Sequence, residues 1–282
     1  MIDLLKEVLE IPTYSGNEGL VRDFIISFGI KHGITVIQDT TGNVYLKKGK
    51  LDEGESYIMV MAHMDTVHFD QDELVDEKRM LSIIESSTVS GGLVLQAINP
   101  KTNTITGIGG DDKAGVAICL DIILKTDKII GGFFVEEEIG CNGSQEMDVK
   151  VLENVGYAIA FDAPTDNWCS YISNGVPLFD KEFYSDLKPL LEEFNVTNLR
   201  SSDPFTDVHL VPGTLGVNSF NVFAGYYNMH SPNEYVVVKD TEKGRDLGLA
   251  IIEKMGNKKY EIDTNYKNQK LLYEQITKKT LD

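Results

Sequence analysis

Met59-Val60-Met61-Ala62-His63-Met64-Asp65-Thr66-Val67 is the stretch whose reading decides the fold. An apolar run ends in a histidine, and a carboxylate follows two places on. Side chains of a strand alternate between its faces, so His63 and Asp65 project the same way at its end. A run that is apolar on both faces reads as a central buried strand of a parallel sheet. The carboxyl ends of such strands are where α/β proteins put their sites. A buried histidine facing a carboxylate is either a structural pair or a metal ligand with the group that orients it.

On the N-terminal side of this strand, Ile2, Leu4, Leu5, Val8 and Leu9 have helical spacing, and Ile11-Pro12 ends that helix. Ser15-Gly16-Asn17-Glu18 has the form of a capping box, opening a helix with Leu20, Val21, Phe24, Ile25 and Phe28 on one face. Thr35–Gln38 and Val44–Lys47 read as a hairpin around Thr41-Gly42-Asn43. On the C-terminal side, about 72–108 is a β-rich antiparallel excursion that returns the chain to the site. A helix over Asp112–Lys125 follows, then buried strands at Ile129–Val135 and Tyr157–Phe161. A helical pattern runs over Phe179–Phe194, a strand-like run over Phe220–Tyr227, and a last helix over Thr241–Met255. From Asn257 the tail is polar and Lys-rich, and reads as a helix or a loosely held end. Strands alternating with helices imply α/β architecture: a mixed, mostly parallel, doubly wound sheet with helices on both faces.

The 282 residues are 42% apolar and 25% charged, ordinary for a globular chain that buries a sizeable core. A net charge of −18 argues against general affinity for nucleic acid or anionic membrane, since both need basic patches. Three cysteines, Cys119, Cys141 and Cys169, are odd in number and do not form a disulfide framework. No apolar run approaches the roughly 20 residues of a membrane span, and the amphipathic N-terminus is not a signal peptide. The expected compartment is the cytoplasm.

Four more strand ends carry polar groups. Gly109-Gly110-Asp111-Asp112-Lys113-Ala114-Gly115 places carboxylates between glycines and a helix start, where an aspartate is also a favoured cap. Phe133-Phe134-Val135-Glu136-Glu137-Glu138 ends an apolar strand in three carboxylates, which repel one another and resist burial unless a cation relieves them. Ala160-Phe161-Asp162 repeats the scheme with one aspartate, and Asn228-Met229-His230 sets a histidine in a loop. Two histidines with several carboxylates suit zinc and its transition-metal neighbours. The inventory is too large for one tetrahedral ion and about right for two that share a carboxylate.

At these residues the chain resembles the zinc-dependent exopeptidase clan. It is most similar to the M20 family of the peptidase T kind, with similarity also to the M42 and M28 aminopeptidases. The matching pieces are His63-Met-Asp-Thr-Val67, Gly109–Gly115, Glu137-Glu-Ile-Gly140, Asp162, and Met229-His-Ser-Pro-Asn-Glu-Tyr-Val236, in the family's order. The resemblance implies hydrolysis of peptide bonds in small peptides by an exopeptidase with two divalent ions, zinc first and cobalt or manganese as alternatives. It implies His63 and Asp162 on one ion, Glu138 and His230 on the other, and Asp111 bridging them. Asp65 would orient His63, Glu137 would be the general base, and the Asp111–Asp112 bond would be cis. Glu136-Glu137 could also supply the glutamate pair, but Ile139-Gly140 favours Glu137-Glu138.

There is one departure. M20 enzymes insert a lid and dimerisation domain between the counterparts of Asp162 and His230, and here 67 residues intervene. The expectation is a single catalytic domain over 1–282 without a separate lid, and a monomer. Ser201–His209 is similar to the Thr-Asp loop ahead of the last histidine in M20 enzymes. Tyr226, Tyr227, Asn228 and His209 are candidates for the substrate contacts that a lid would supply. Two rival functions remain open: a metal-dependent deacylase of N-acyl amino acids, and a non-catalytic binding protein that keeps the fold.

Overall fold

The structure is a computed structural model that describes residues 1–67, 80–201 and 205–263, with Leu272 and Ile276 beyond them. Helices α1 (Ile2–Leu9) and α2 (Gly19–Lys31) precede the strands β1 (Thr35–Gln38), β2 (Val44–Lys48) and β3 (Tyr57–His63). Next come β4 (Ser82–Ser87), β5 (Leu93–Asn99), β6 (Thr104–Thr106), α3 (Gly110–Lys125) and β7 (Ile129–Phe134). Short helices α4 (Asn142–Gln145) and α5 (Val149–Leu152) lead to β8 (Val155–Ala163), β9 (Trp168–Ser170), β10 (Ile172–Ser173) and β11 (Val176–Pro177). The chain continues through α6 (Lys181–Glu193), β12 (Asn198–Arg200), a 3-10 turn at Asp207–Leu210 and α7 (Val211–Leu215). It closes with β13 (Ser219–Phe223), β14 (Tyr226–Tyr227), β15 (Tyr235–Val237) and α8 (Val238–Met255).

The main sheet has the strand order β1-β2-β7-β3-β8-β13-β9-β12. Its centre, β7, β3, β8 and β13, is parallel, and antiparallel pairs flank it at β2 and β9. Every residue of β3 is buried, as its two-faced apolar run requires. Helix α3 lies across β3, β7 and β8, with α1 and α8 beside it and α6 on α8. The 3-10 turn packs against β3, β8 and β13, and α4 packs on that turn. Gly115 lets α3 approach closely: an added Cβ would stand 2.1 Å from the Phe161 carbonyl oxygen. Register sets His63 opposite Phe134 and Met61 opposite Ala160, so the ends of β3, β7 and β8 share one edge.

The excursion forms a second, antiparallel sheet of order β14-β15-β5-β4, with β6 on β5. The part of it expected at 72–79 lies outside the described residues. Three sequence expectations need correction. Phe220–Tyr227 is not one strand. Gly225, at φ +85°, breaks it, so β13 joins the main sheet and β14 the second. The Ser15 capping box does not form: α2 starts at Gly19 after Glu18, and the Ser15 hydroxyl donates to Asp65 Oδ2 instead. The segment after Asn257 is docked, not loose, through 263. Asn218 donates its N–H to the Tyr260 carbonyl, Tyr260 donates to Gly156, and the Tyr260 ring packs edge-on to Tyr157 and Phe183. No helix among the described residues is long and apolar enough to cross a membrane.

Candidate metal centre

His63 ends β3 with an imidazole that is 1% exposed. Its Nε2 lies 3.2 Å from Asp111 Oδ1, 3.5 Å from Asp162 Oδ1 and 3.9 Å from Glu137 Oε2. Its Nδ1 is 3.0 Å from the backbone carbonyl of Asp65 and 3.4 Å from Asp65 Oδ1. Asp65 therefore does face His63, but the shorter contact is made by its main chain.

Asp111 stands at the start of α3, and its peptide bond to Asp112 is cis. Glu234 holds this turn by accepting the N–H groups of Gly109 at 2.7 Å and Asp111 at 2.9 Å. Asp112 points the other way and accepts the N–H of His63 at 3.2 Å. The second oxygen of Asp111 lies 3.2 Å from His230 Nε2, so one carboxylate faces both histidines. His230, in the loop between β14 and β15, also meets Glu138 Oε1 at 2.9 Å. Asp162, near the end of β8, is fixed by Asn221, which donates to its carbonyl and accepts its N–H.

The backbone separates the three glutamates. Glu136 adopts φ +54°, and its carboxylate turns to accept from Asn142 Nδ2 at 2.9 Å. Glu137 and Glu138 project inward. The Asp65 carboxylate holds both, accepting their N–H groups at 2.9 and 3.1 Å.

Three groups of possible ligand atoms fall within 4.8 Å of one another: His63, Asp111 and Asp162; Asp111, Glu138 and His230; and His63, Glu137 and Glu138. The first two correspond to the two ligand sets expected from the sequence, with Asp111 common to both. Electrostatics are those of a crowded anionic site. Burial drives the Glu137 and Asp162 carboxyls above their ordinary range; His63 opposes this, and neighbouring carboxylates add to it. Hydrogen bonds to Asp111 and Glu138 push His230 up to about 10. Burial also lifts Asp207, to about 7, although Ser144 donates a hydrogen bond to it. The other oxygen of Asp207 is buried without a hydrogen-bond partner among the described residues. Divalent cations would relieve this like-charge crowding, so the donor set fits such ions.

A cavity of about 90 Å³ opens on these ligands. Of the expected substrate contacts, Tyr226 lines it, and its hydroxyl lies 3.4 Å from Asp162 Oδ1. Asn228, Tyr227 and His209 do not. The Asn228 carbonyl accepts from Ser231, the Tyr227 hydroxyl donates to Asp240, and His209 Nδ1 lies 2.6 Å from the Thr206 carbonyl. Sequence reasoning missed Trp168, Phe205 and Thr206, which line the cavity. Phe205 and Thr206 lie in the Ser201–His209 stretch already singled out for its likeness to the Thr-Asp loop, whereas for Trp168 only its apolar character in a polar region was a hint.

The fold is one found in solved aminopeptidases. Aminopeptidase PepT from Bacillus cereus ATCC 10987 is similar at a TM-score of 0.70 and 16% identity, over 90% of this chain and 97% of that one. A tripeptidase from Staphylococcus aureus subsp. aureus Mu50 matches at 0.65 and 15%, over 89% and 96%. The TET1 peptidase of Pyrococcus horikoshii, which can assemble into a tetrahedron or a large octahedral shell, matches at 0.59 and 18%, over 89% and 98%. These likenesses, all at 18% identity or below, show the fold alone without singling out an M20 branch, and the fold carries no preference for a monomer. In sequence, 69 residues are 36% identical to glutamyl aminopeptidase of Lactococcus lactis subsp. cremoris (strain MG1363), 24% of this chain and 19% of that protein's length. No protein-family profile matches the chain.

Proposed function

We propose that this protein is a metallopeptidase that releases terminal residues from small peptides with two divalent ions, zinc being the ion its imidazole and carboxylate donors suit best. The observation that carries the reading is Asp111, whose two oxygens face His63 and His230 from the middle of two ligand sets. In this reading His63 and Asp162 hold one ion, Glu138 and His230 the other, and Asp111 both. When bound, the ions supply Lewis acidity, which lowers the pKa of water towards ~7 and polarises the scissile carbonyl.

The chain's own residues do the rest. Glu137 takes the proton of the attacking water and delivers it to the leaving amine. Its burial raises its proton affinity, which suits a base that must keep the proton until the amine departs. Asp65 keeps Glu137 and Glu138 in place through their N–H groups. Tyr226 serves the substrate oxygen in place of a lid group. The interval between Asp162 and His230 supplies β9, β12 and β13 to the main sheet, which supports one catalytic domain without a lid. The enzyme then works as a monomer in the cytoplasm.

The test combines metal analysis with hydrolysis of free and N-blocked peptides. We expect two equivalents of divalent metal and cleavage of free tripeptides only. Cleavage of N-acyl amino acids instead would make it a deacylase. A metal-free protein that cleaves neither would be a binding protein.

A further inference from the structure

Part of the cavity wall is apolar. Pro164, Trp168, Phe205 and Met229 form it, and among the described residues no lysine or arginine lines the cavity. Phe205 is 58% exposed and Met229 is 39% exposed, yet both border this one cavity. Exposed large apolar side chains gathered at a concave site mark a binding surface, whereas scattered ones need no explanation. Arg200 comes close, with its guanidinium 4.5 Å from the centre of the Trp168 ring, but it is not among the lining residues.

We infer that this wall selects a substrate residue with an apolar side chain, such as leucine, methionine or phenylalanine, next to the scissile bond. The inference rests on the peptidase reading of the same site and adds its specificity. An acidic side chain would set its carboxylate against this apolar wall, which offers it no cation among the described residues. A lysine side chain would set its ammonium against the same wall, where Pro164, Trp168, Phe205 and Met229 offer it no carboxylate.

Trp168 is the only tryptophan in the chain, so its emission reports occupancy of this cavity without any turnover. The metal-loaded protein is titrated with leucine, methionine, phenylalanine, alanine, glutamate and lysine as free amino acids. Leucine, methionine and phenylalanine are expected to shift the emission at concentrations at least about tenfold below alanine, glutamate and lysine, the scale on which apolar pockets discriminate. Phe205→Ala is expected to narrow the leucine-to-alanine ratio, and Phe205→Arg to bring glutamate level with leucine. Glutamate binding as tightly as leucine in the unmodified protein would overturn the inference and assign the reading of the side chain to Arg200. An unchanged leucine-to-alanine ratio in Phe205→Ala would overturn it as well. A protein that binds leucine but cleaves no peptide defeats the peptidase reading alone. One that cleaves glutamyl peptides best defeats this inference alone.

Discussion

The carboxylate of Asp65 accepts the backbone N–H of Glu137 at 2.9 Å. Its other oxygen takes the N–H of Glu138 at 3.1 Å and the Ser15 hydroxyl at 2.7 Å, while its carbonyl lies 3.0 Å from His63 Nδ1. One residue thus orients a side chain from each proposed ion site and the proposed base. Asp65→Asn turns an amide NH2 towards donors. It is expected to weaken metal binding about 10- to 100-fold, the usual effect of losing an orienting partner. Metal titration measures this, with Ser15→Ala as the milder comparison.

Glu137→Gln keeps the size of the side chain and removes the base. Metal content should stay at the unmodified level, and kcat should fall about 10²- to 10⁴-fold. Full turnover by this variant would show that another group handles the proton.

Asp111→Ala removes the one carboxylate shared by both ligand sets. Metal content and activity should vanish together, whereas His230→Ala should retain one ion. In the unmodified protein, added zinc should raise the midpoint of thermal unfolding. At one hundred times its Kd, an ion bound to the folded chain alone stabilises it by about 2.7 kcal/mol. A midpoint indifferent to zinc would refute the ion sites.

Lys113 gives a pH dependence. It is fully buried, and its ammonium donates to the carbonyls of Leu9 and Ile11 at 2.8 Å each. Burial holds its pKa down to about 7, against the pull of the Glu234 carboxylate. An unfolded lysine titrates near ~10.4. Between these values the unfolded chain binds the proton and the folded chain does not. This group's contribution to stability is therefore lowest below pH 7 and rises with pH up to about 10. Lys113→Met should flatten that part of the stability curve, read from denaturant titrations at several pH values.

Gly115→Ala would set a methyl 2.1 Å from the Phe161 carbonyl oxygen and 2.2 Å from Asp112 Oδ1. Helix α3 would have to lift off β8. The expected loss is about 3 kcal/mol, the upper end for overpacking, and calorimetry reads it directly.

The central strand and its neighbours were legible because periodicity is local: β3, β7 and β8 are apolar on both faces, and each ends where a polar group begins. The meeting of His63, Glu138 and Asp162 followed from those ends sharing one edge, whereas Asp111 comes from the head of α3 and His230 from a loop of the second sheet. What local pattern cannot carry is the use of a side chain by a distant partner. Ser15 reads as a helix cap, yet its hydroxyl is spent on Asp65, fifty residues away. Asn221 sits in an apolar strand, and only the pairing of β13 with β8 brings its amide to the main chain of Asp162. Glu234 looks like a surface residue until the Gly109–Asp111 turn arrives above it. The apolar cavity wall is likewise drawn from three separate stretches of chain, at Pro164 and Trp168, at Phe205 and at Met229.

The kink at Gly225 has a last consequence. The chain leaves the large sheet there and delivers His230 only after joining the small one. In the proposed centre, one ion is clasped by the large sheet and the head of α3. The other acts as a rivet through two plates, its outer end a histidine side chain 45% open to water. That rivet should be the first to work loose: a slow chelator should draw the His230 ion ahead of its neighbour, and the small plate should slacken as it goes.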